Sequence, residues 1–226
     1  LDYPGSDIAN HVLLKILGLT GGNNQSAMNL YILLSFPVTF TVSYLALRGF
    51  GISVIFSFIG AMLFDFLPFH FLRLPHLFYV WYFVVPFYFY LGYYLFSGIT
   101  DKSQFNRNNI PAILALFAIL MIAASFGVYY SIFGIIILFV SGFAGFIRRQ
   151  KITPIKWATI STAAIMLGVL FNIAPNIAYH STIGPNPEVA QRSPIESEVY
   201  GLKFIQLILP RQNHRVEQLS RISNVY

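Results

Sequence analysis

The stretch PAILALFAILMIAASFGVYYSIFGIIILFVSGFAGF, Pro111 to Phe146, contains no charged side chain, and its reading decides the architecture. As a helix at 1.5 Å per residue it would extend roughly 54 Å, against a hydrocarbon core about 30 Å thick. It is therefore one very long helix, two short crossings, or a re-entrant pair. The flanks separate these cases. Lys102 and Arg107 precede the run and Arg148-Arg149-Gln150-Lys151 follow it, and short basic loops stay on the cytoplasmic side of a membrane. Two crossings satisfy both flanks, with a break expected near Ser125-Phe126-Gly127; a re-entrant pair is the alternative.

Working outward, the chain is 56% hydrophobic and 10% charged, with a mean hydropathy of +0.66. Such a composition does not form a solvated globule. An all-α polytopic transmembrane bundle is expected, with about six spanning helices. The others run from about Met28 to Leu47 with a kink at Pro37, from Gly51 to near Pro68, from about Leu77 to Phe96 through Pro86, and from about Trp157 to Ile177. Pro111 suits the first turn of the helix after Asn108 or Asn109. This sets the boundary between a bundle at 1–177 and a tail at 178–226.

Charge placement gives an orientation. Arg48, Lys102, Arg107, Arg148, Arg149, Lys151 and Lys156 fall on one side, against Lys15 and Arg73 on the other, so the first set is expected in the cytoplasm. The N-terminal stretch, the Asp65 to His76 region, the Gly127 break and the tail then share the outer side. With them lie all five histidines and every carboxylate except Asp101. The net charge of +6 is scattered between apolar runs rather than gathered on a stripe, which excludes a nucleic-acid surface. No cysteine is present, so disulfide scaffolds, thiolate metal sites and cysteine nucleophiles are excluded. Nucleotide-binding loops, HExxH and GxSxG are absent as well.

Two short amphipathic helices are expected on the outer face. In Asp7 to Leu17, 100° per residue puts Asp7, His11 and Lys15 on one face and Ile8, Val12, Leu13 and Ile16 around the other. Ser6 or Asp7 suits its start, and Gly18 or Gly21-Gly22 its end. In the tail, Val199 to Leu209 is apolar apart from Lys203 and Gln206 and stops at Pro210. Both are too short to span and suit an interface. Either polar face also reads as plain solvated surface.

The remaining ionisable cluster is Asp65-Phe66-Leu67-Pro68-Phe69-His70-Phe71-Leu72-Arg73-Leu74-Pro75-His76. A carboxylate, two histidines and an arginine beside lipid form either a snorkelling rim or a working site. His70 and His76 lack the i,i+4 spacing of a helical metal pair. The aromatics from Phe78 to Tyr94, and Tyr129-Tyr130, read first as an interfacial belt.

Asp2-Tyr3-Pro4 with Asp7 and Lys15-Ile16-Leu17, then Leu67 to Arg73 with His76, Gly127-Val128-Tyr129-Tyr130, Tyr200-Gly201-Leu202-Lys203, and Leu209-Pro210 with His214-Arg215 follow one another along the chain. These blocks resemble a family of bacterial multi-spanning proteins that is similar to the GT-C type of membrane glycosyltransferase. The resemblance implies an enzyme of the bacterial plasma (inner) membrane. It would move a sugar from a polyprenyl-phosphate carrier to a glycan, lipid or protein acceptor of the cell envelope, with an acidic residue of the first outer loop as base or metal ligand. That carboxylate follows the first spanning helix in GT-C proteins. Since the sequence opens at Leu1 without such a helix and closes at Tyr226 in mid-pattern, it is expected to be a piece of a longer protein.

Under this resemblance the catalytic candidates are Asp7 first, then Asp2 and His11. Arg73, His70, His76, Lys203, His214 and Arg215 are candidates for the phosphate or acceptor, and Asp65, Tyr129, Tyr130 and Glu198 for supporting roles, Asp65 orienting Arg73 or His70. A carboxylate takes the acceptor proton or holds a divalent ion, Mg or Mn; cations stabilise the departing phosphate. No cofactor is firmly implied. The alternatives are a flippase of lipid-linked sugars and a non-catalytic subunit of an envelope glycan assembly.

Overall fold

In a computed structural model, residues 7–98, 110–184, 193, 195, 209–210 and 214–225 are described. Among them the fold is all-helical, with no strand. The helices are α1 (Ile8–Gly21), α2 (Asn24–Gly49), α3 (Val54–Asp65), α4 (Pro68–Leu72), α5 (Val84–Ser97), α6 (Ile110–Ala124), α7 (Val128–Arg149), α8 (Thr153–Ile183) and α9 (Glu217–Val225), with a 3-10 segment at Leu74–Val80. Two compact units are formed, Leu1–Gly184 and Pro185–Tyr226.

Four elements are long and apolar enough to cross a bilayer: α2, α3 with α4, α7 and α8. Their outer surfaces are oily. Leu33, Phe56, Phe133 and Phe171 are each more than half exposed, at 63%, 70%, 59% and 68%. The inward stripe of α2 is instead small or polar, with Ser35, Thr39 and Ser43 at i,i+4 spacing. Apolar residues outside and small polar ones inside are the arrangement that lipid selects and water does not. The chain is a membrane-embedded helical protein.

The uncharged run from Pro111 divides where expected. α6 ends at Ala124 and α7 starts at Val128, and Gly127 between them has φ 153°, a conformation that disfavours any Cβ. Pro111 occupies the first turn of α6, and α2 runs as one helix through Pro37. Elsewhere the boundaries move. The stretch from Leu77 is not a single helix, because the 3-10 segment gives way to a bend at 81–83 before α5 begins at Val84, with Pro86 in its first turn. α8 passes Ile177 and continues to Ile183.

Helices α5, α7 and α8 are held close by missing side chains. A Cβ on Gly134 would lie 2.7 Å from the Tyr88 ring, and one on Gly142 would lie 2.5 Å from the Ala158 Cβ and 3.1 Å from the Pro154 carbonyl oxygen. Backbones approach this closely in membrane bundles where dispersion replaces the hydrophobic effect.

In the second unit, α9 is a short polar helix carrying an Arg221 to Glu217 ion pair of 2.6 Å. It was not expected from the sequence. Residues 199–208, the expected second interfacial helix, lie outside the described residues.

Candidate functional site

Helix α1 is placed by hydrogen bonds made across the chain. The Ile8 N–H donates to Asn172 Oδ1 at 3.1 Å, and the Ala9 N–H donates to the Ser125 carbonyl at 3.2 Å. Two first-turn donors that a helix cannot satisfy itself thus find acceptors on α8 and on the α6–α7 break. Asn10 is wholly buried, donating from Nδ2 to the Phe126 carbonyl and accepting at Oδ1 from the Tyr31 hydroxyl. Asn172 Nδ2 donates to Ser125 Oγ at 2.7 Å. The inward face of α1 is therefore Asn10 with Leu13, Leu14 and Leu17, while Val12 and Ile16 are half exposed. Ile8, Val12, Leu13 and Ile16 line one apolar groove together, and Asn10 and Leu14 are the inward residues that the sequence pattern did not indicate.

Asp7 stands at the N-cap but makes no capping hydrogen bond with its side chain. It lines a cleft of about 390 Å³ together with His11, Leu14, Met28 and the backbone turn His76-Leu77-Phe78-Tyr79. The His11 ring meets Phe78 edge-on at 4.8 Å, and Phe78 leans on Tyr31. Burial pushes the Asp7 carboxyl above the ordinary carboxylate range, and the neighbouring His11 pulls it partly back. His76 enters through a local departure from helical geometry, φ −115° and ψ 65°, which turns it out of the 3-10 segment.

Asp7 and His11, one turn apart on α1, thus share a cleft with His76, which is distant in sequence. Tyr79 joins them and links to the other tyrosines: its carbonyl accepts from the Tyr130 hydroxyl at 2.7 Å, and its ring lies 5.8 Å from that of Tyr129. Arg73 is one turn from His76, whose N–H donates to the Arg73 carbonyl; the Arg73 guanidinium stacks 5.1 Å over Phe69 and is not part of the lining.

His70 and Asp65 do not join the cleft. His70 is wholly buried, stacked 3.8 Å from Phe36, with Nε2 2.7 Å from Ser35 Oγ and Nδ1 3.0 Å from the Asp65 carbonyl. The Tyr82 hydroxyl donates to the same carbonyl at 2.9 Å. This knot fastens the bend between α3 and α4 to α2, so neither ring nitrogen of His70 is presented to a ligand. Asp65 Oδ1 sits 3.7 Å from His70 Nδ1, and Arg73 has no ion pair with it among the described residues.

Asp2, Glu198 and Lys203 lie outside the described residues. In the second unit, Arg215 is exposed and His214 Nδ1 accepts from the Val216 N–H. Among the described residues no three histidine or carboxylate side chains converge as a metal site. These residues give a divalent ion no complete donor set.

The sequence reading missed Asn10, Tyr31, Ser125 and Asn172. The available signal was an amide inside each of two apolar helices, since such a group needs a partner when removed from water. No family model, curated protein or solved structure matches the chain.

Proposed function

We propose that this chain forms the acceptor and donor site of a GT-C type membrane glycosyltransferase, using a polyprenyl-phosphate sugar at the non-cytoplasmic face of a bacterial inner membrane. In this reading six segments cross, the four long helices together with Leu74 to Ser97 and α6, and the basic loops face the cytoplasm.

One observation carries the proposal. Helix α1 separates a cleft that carries the ionisable side chains of Asp7, His11 and His76 from an apolar groove of about 500 Å³ lined by Val12, Ile16, Trp81, Ile122 and Phe126. The two sets of α1 side chains lie on opposite flanks at 100° per residue. A sugar phosphate attached to an isoprenoid chain needs both environments side by side.

Asp7 accepts the proton of the acceptor hydroxyl as that oxygen attacks the anomeric carbon. The carbon–oxygen bond to phosphate breaks, and the phosphate leaves with the electron pair. A carboxyl lifted by burial is a stronger base than a solvated one. His11 and His76 hold the acceptor, and Arg73, whose carbonyl accepts from the His76 N–H, swings from Phe69 to meet the phosphate charge.

The test follows labelled polyprenyl-phosphate sugars in sealed vesicles containing the full chain or Asp7→Asn. Cleavage by wild type and its loss in the variant supports the reading. Equal cleavage by both removes Asp7 from the site, and transfer of uncut donor across the bilayer overturns the transferase in favour of a flippase.

A further inference from the structure

A second groove lies on the flank of the bundle, between α5 and α7. Its volume is about 470 Å³, and Phe89, Tyr93, Phe96, Ile136 and Val140 make its walls. Its floor exists because position 92 is glycine: a Cβ there would lie 2.7 Å from Ser141 Oγ. Val140 and Ile136 are 60% and 51% exposed, so the groove opens sideways, toward lipid.

The groove has a charged end. Arg148 is exposed and stacks 4.8 Å over Phe96, one of the lining rings. Phe50, which also lines the groove, packs edge-on against Tyr93 at 5.0 Å and stands two residues beyond Arg48. The Arg48 guanidinium donates to the Ile52 carbonyl, and neither Arg48 nor Arg148 has a carboxylate partner among the described residues. The eight residues from Phe89 to Phe96 cover roughly 10 Å of helix. An apolar trough of that depth, with the exposed Arg148 guanidinium against its Phe96 end and exposed Arg48 two residues from Phe50, matches a molecule with a hydrocarbon chain and an anionic head.

We infer that the α5–α7 groove binds an anionic phospholipid, with one acyl chain lying between Phe89 and Phe96 and the phosphate held by Arg148 and Arg48. Basic pockets between membrane helices recognise headgroups in this way, and planar guanidinium groups pair well with phosphate. α7 carries Arg148 at the end opposite Val128 and the α6–α7 break, to which α1 is tied. The site is thus remote from the Asp7 cleft and independent of the glycosyltransferase reading.

The test is lipid retention by the full chain, purified from mixed micelles of phosphatidylglycerol and phosphatidylcholine and read by native mass spectrometry. Wild type should keep one phosphatidylglycerol in preference to phosphatidylcholine. Arg148→Gln should weaken retention about fivefold, and Arg48→Gln with Arg148→Gln roughly thirtyfold. Val140→Trp, which fills the groove from its open side, should abolish retention while leaving the lipid-free melting temperature within a few degrees of wild type. Equal retention of the two lipids by wild type would overturn the inference. So would undiminished phosphatidylglycerol in Arg148→Gln, or a dimer that Val140→Trp dissociates, since a second copy would then occupy the groove.

Discussion

The Tyr31 hydroxyl donates a 2.7 Å hydrogen bond to Asn10 Oδ1, and both residues are wholly buried. The pair locks α1 to α2 beside the candidate cleft. Tyr31→Phe leaves the amide oxygen without its donor, at a cost of about 1–3 kcal/mol. Asn10→Leu removes the bond from the other side and also strips the Phe126 carbonyl of its donor. In a double-mutant cycle read by thermal unfolding in detergent, the two changes together should cost less than their sum. Strict additivity would mean that the bond contributes nothing.

A second expectation concerns His70. Its ring fills space against Phe36 and reaches Ser35 and the Asp65 carbonyl at once. His70→Ala opens a cavity and releases the α3–α4 bend, for a loss of roughly 2–5 kcal/mol. His76→Ala, at an exposed position, should leave the melting temperature almost unchanged. Equal thermal losses would remove the distinction between the buried and the cleft histidine.

Close helix packing gives a third. A side chain on Gly142 meets the Ala158 Cβ and the Pro154 backbone, so the neighbour cannot simply rotate away. Gly142→Val should destabilise by about 1–3 kcal/mol. Gly18, where an added Cβ meets nothing within 4 Å, should accept alanine without loss. Unfolding curves of the two variants, recorded side by side, test the contrast.

Asp7 supplies a pH dependence. Burial holds its carboxyl above the ordinary value of 3.8, so the folded chain binds the proton more tightly than the unfolded chain does. Between 3.8 and the raised value the unfolded state carries fewer protons, and stability falls as pH rises through that window. Above the window the loss is complete, and below 3.8 the difference vanishes. Asp7→Asn should lack this slope. Melting temperatures of the two proteins across the acid range, compared at each pH, provide the check; a wild type that gains stability relative to Asp7→Asn on leaving acid would contradict the burial of the carboxylate.

The division at Gly127 was legible because an uncharged run too long for one crossing, with basic residues at both ends, calls for a break, and Gly127 takes a backbone conformation that few other residues adopt. The stretch from Leu74 to Ser97 was not, because its aromatic residues are equally apolar in a helix, a 3-10 turn or a bend. The bend is fixed by Trp81 and Tyr82 packing into the core, a tertiary choice made against Phe126 and Phe64. The burial of Asn10 had the same origin: helical spacing showed the apolar and polar flanks of α1, but Asn10 turns inward for Tyr31 and Phe126, far along the chain. Asp7, His11 and His76 were chosen for their chemistry and do meet in one cleft. His70 was chosen on the same grounds, yet a histidine that ties three elements together has the same sequence signature as one that awaits a ligand.

Helix α8 has 31 residues, a length of roughly 46 Å. To fit a core of about 30 Å by leaning alone it would need a tilt near 50°, beyond the roughly 40° that spanning helices reach. It therefore leaves the hydrocarbon before it ends. Asn172 stands about 28 Å along the helix from Thr153 and Pro175 about 33 Å. The amide that holds the start of α1, and its bond to Ser125, therefore lie well past the middle of α8, so the same helix that is too long for the hydrocarbon also anchors α1 toward its Ile183 end.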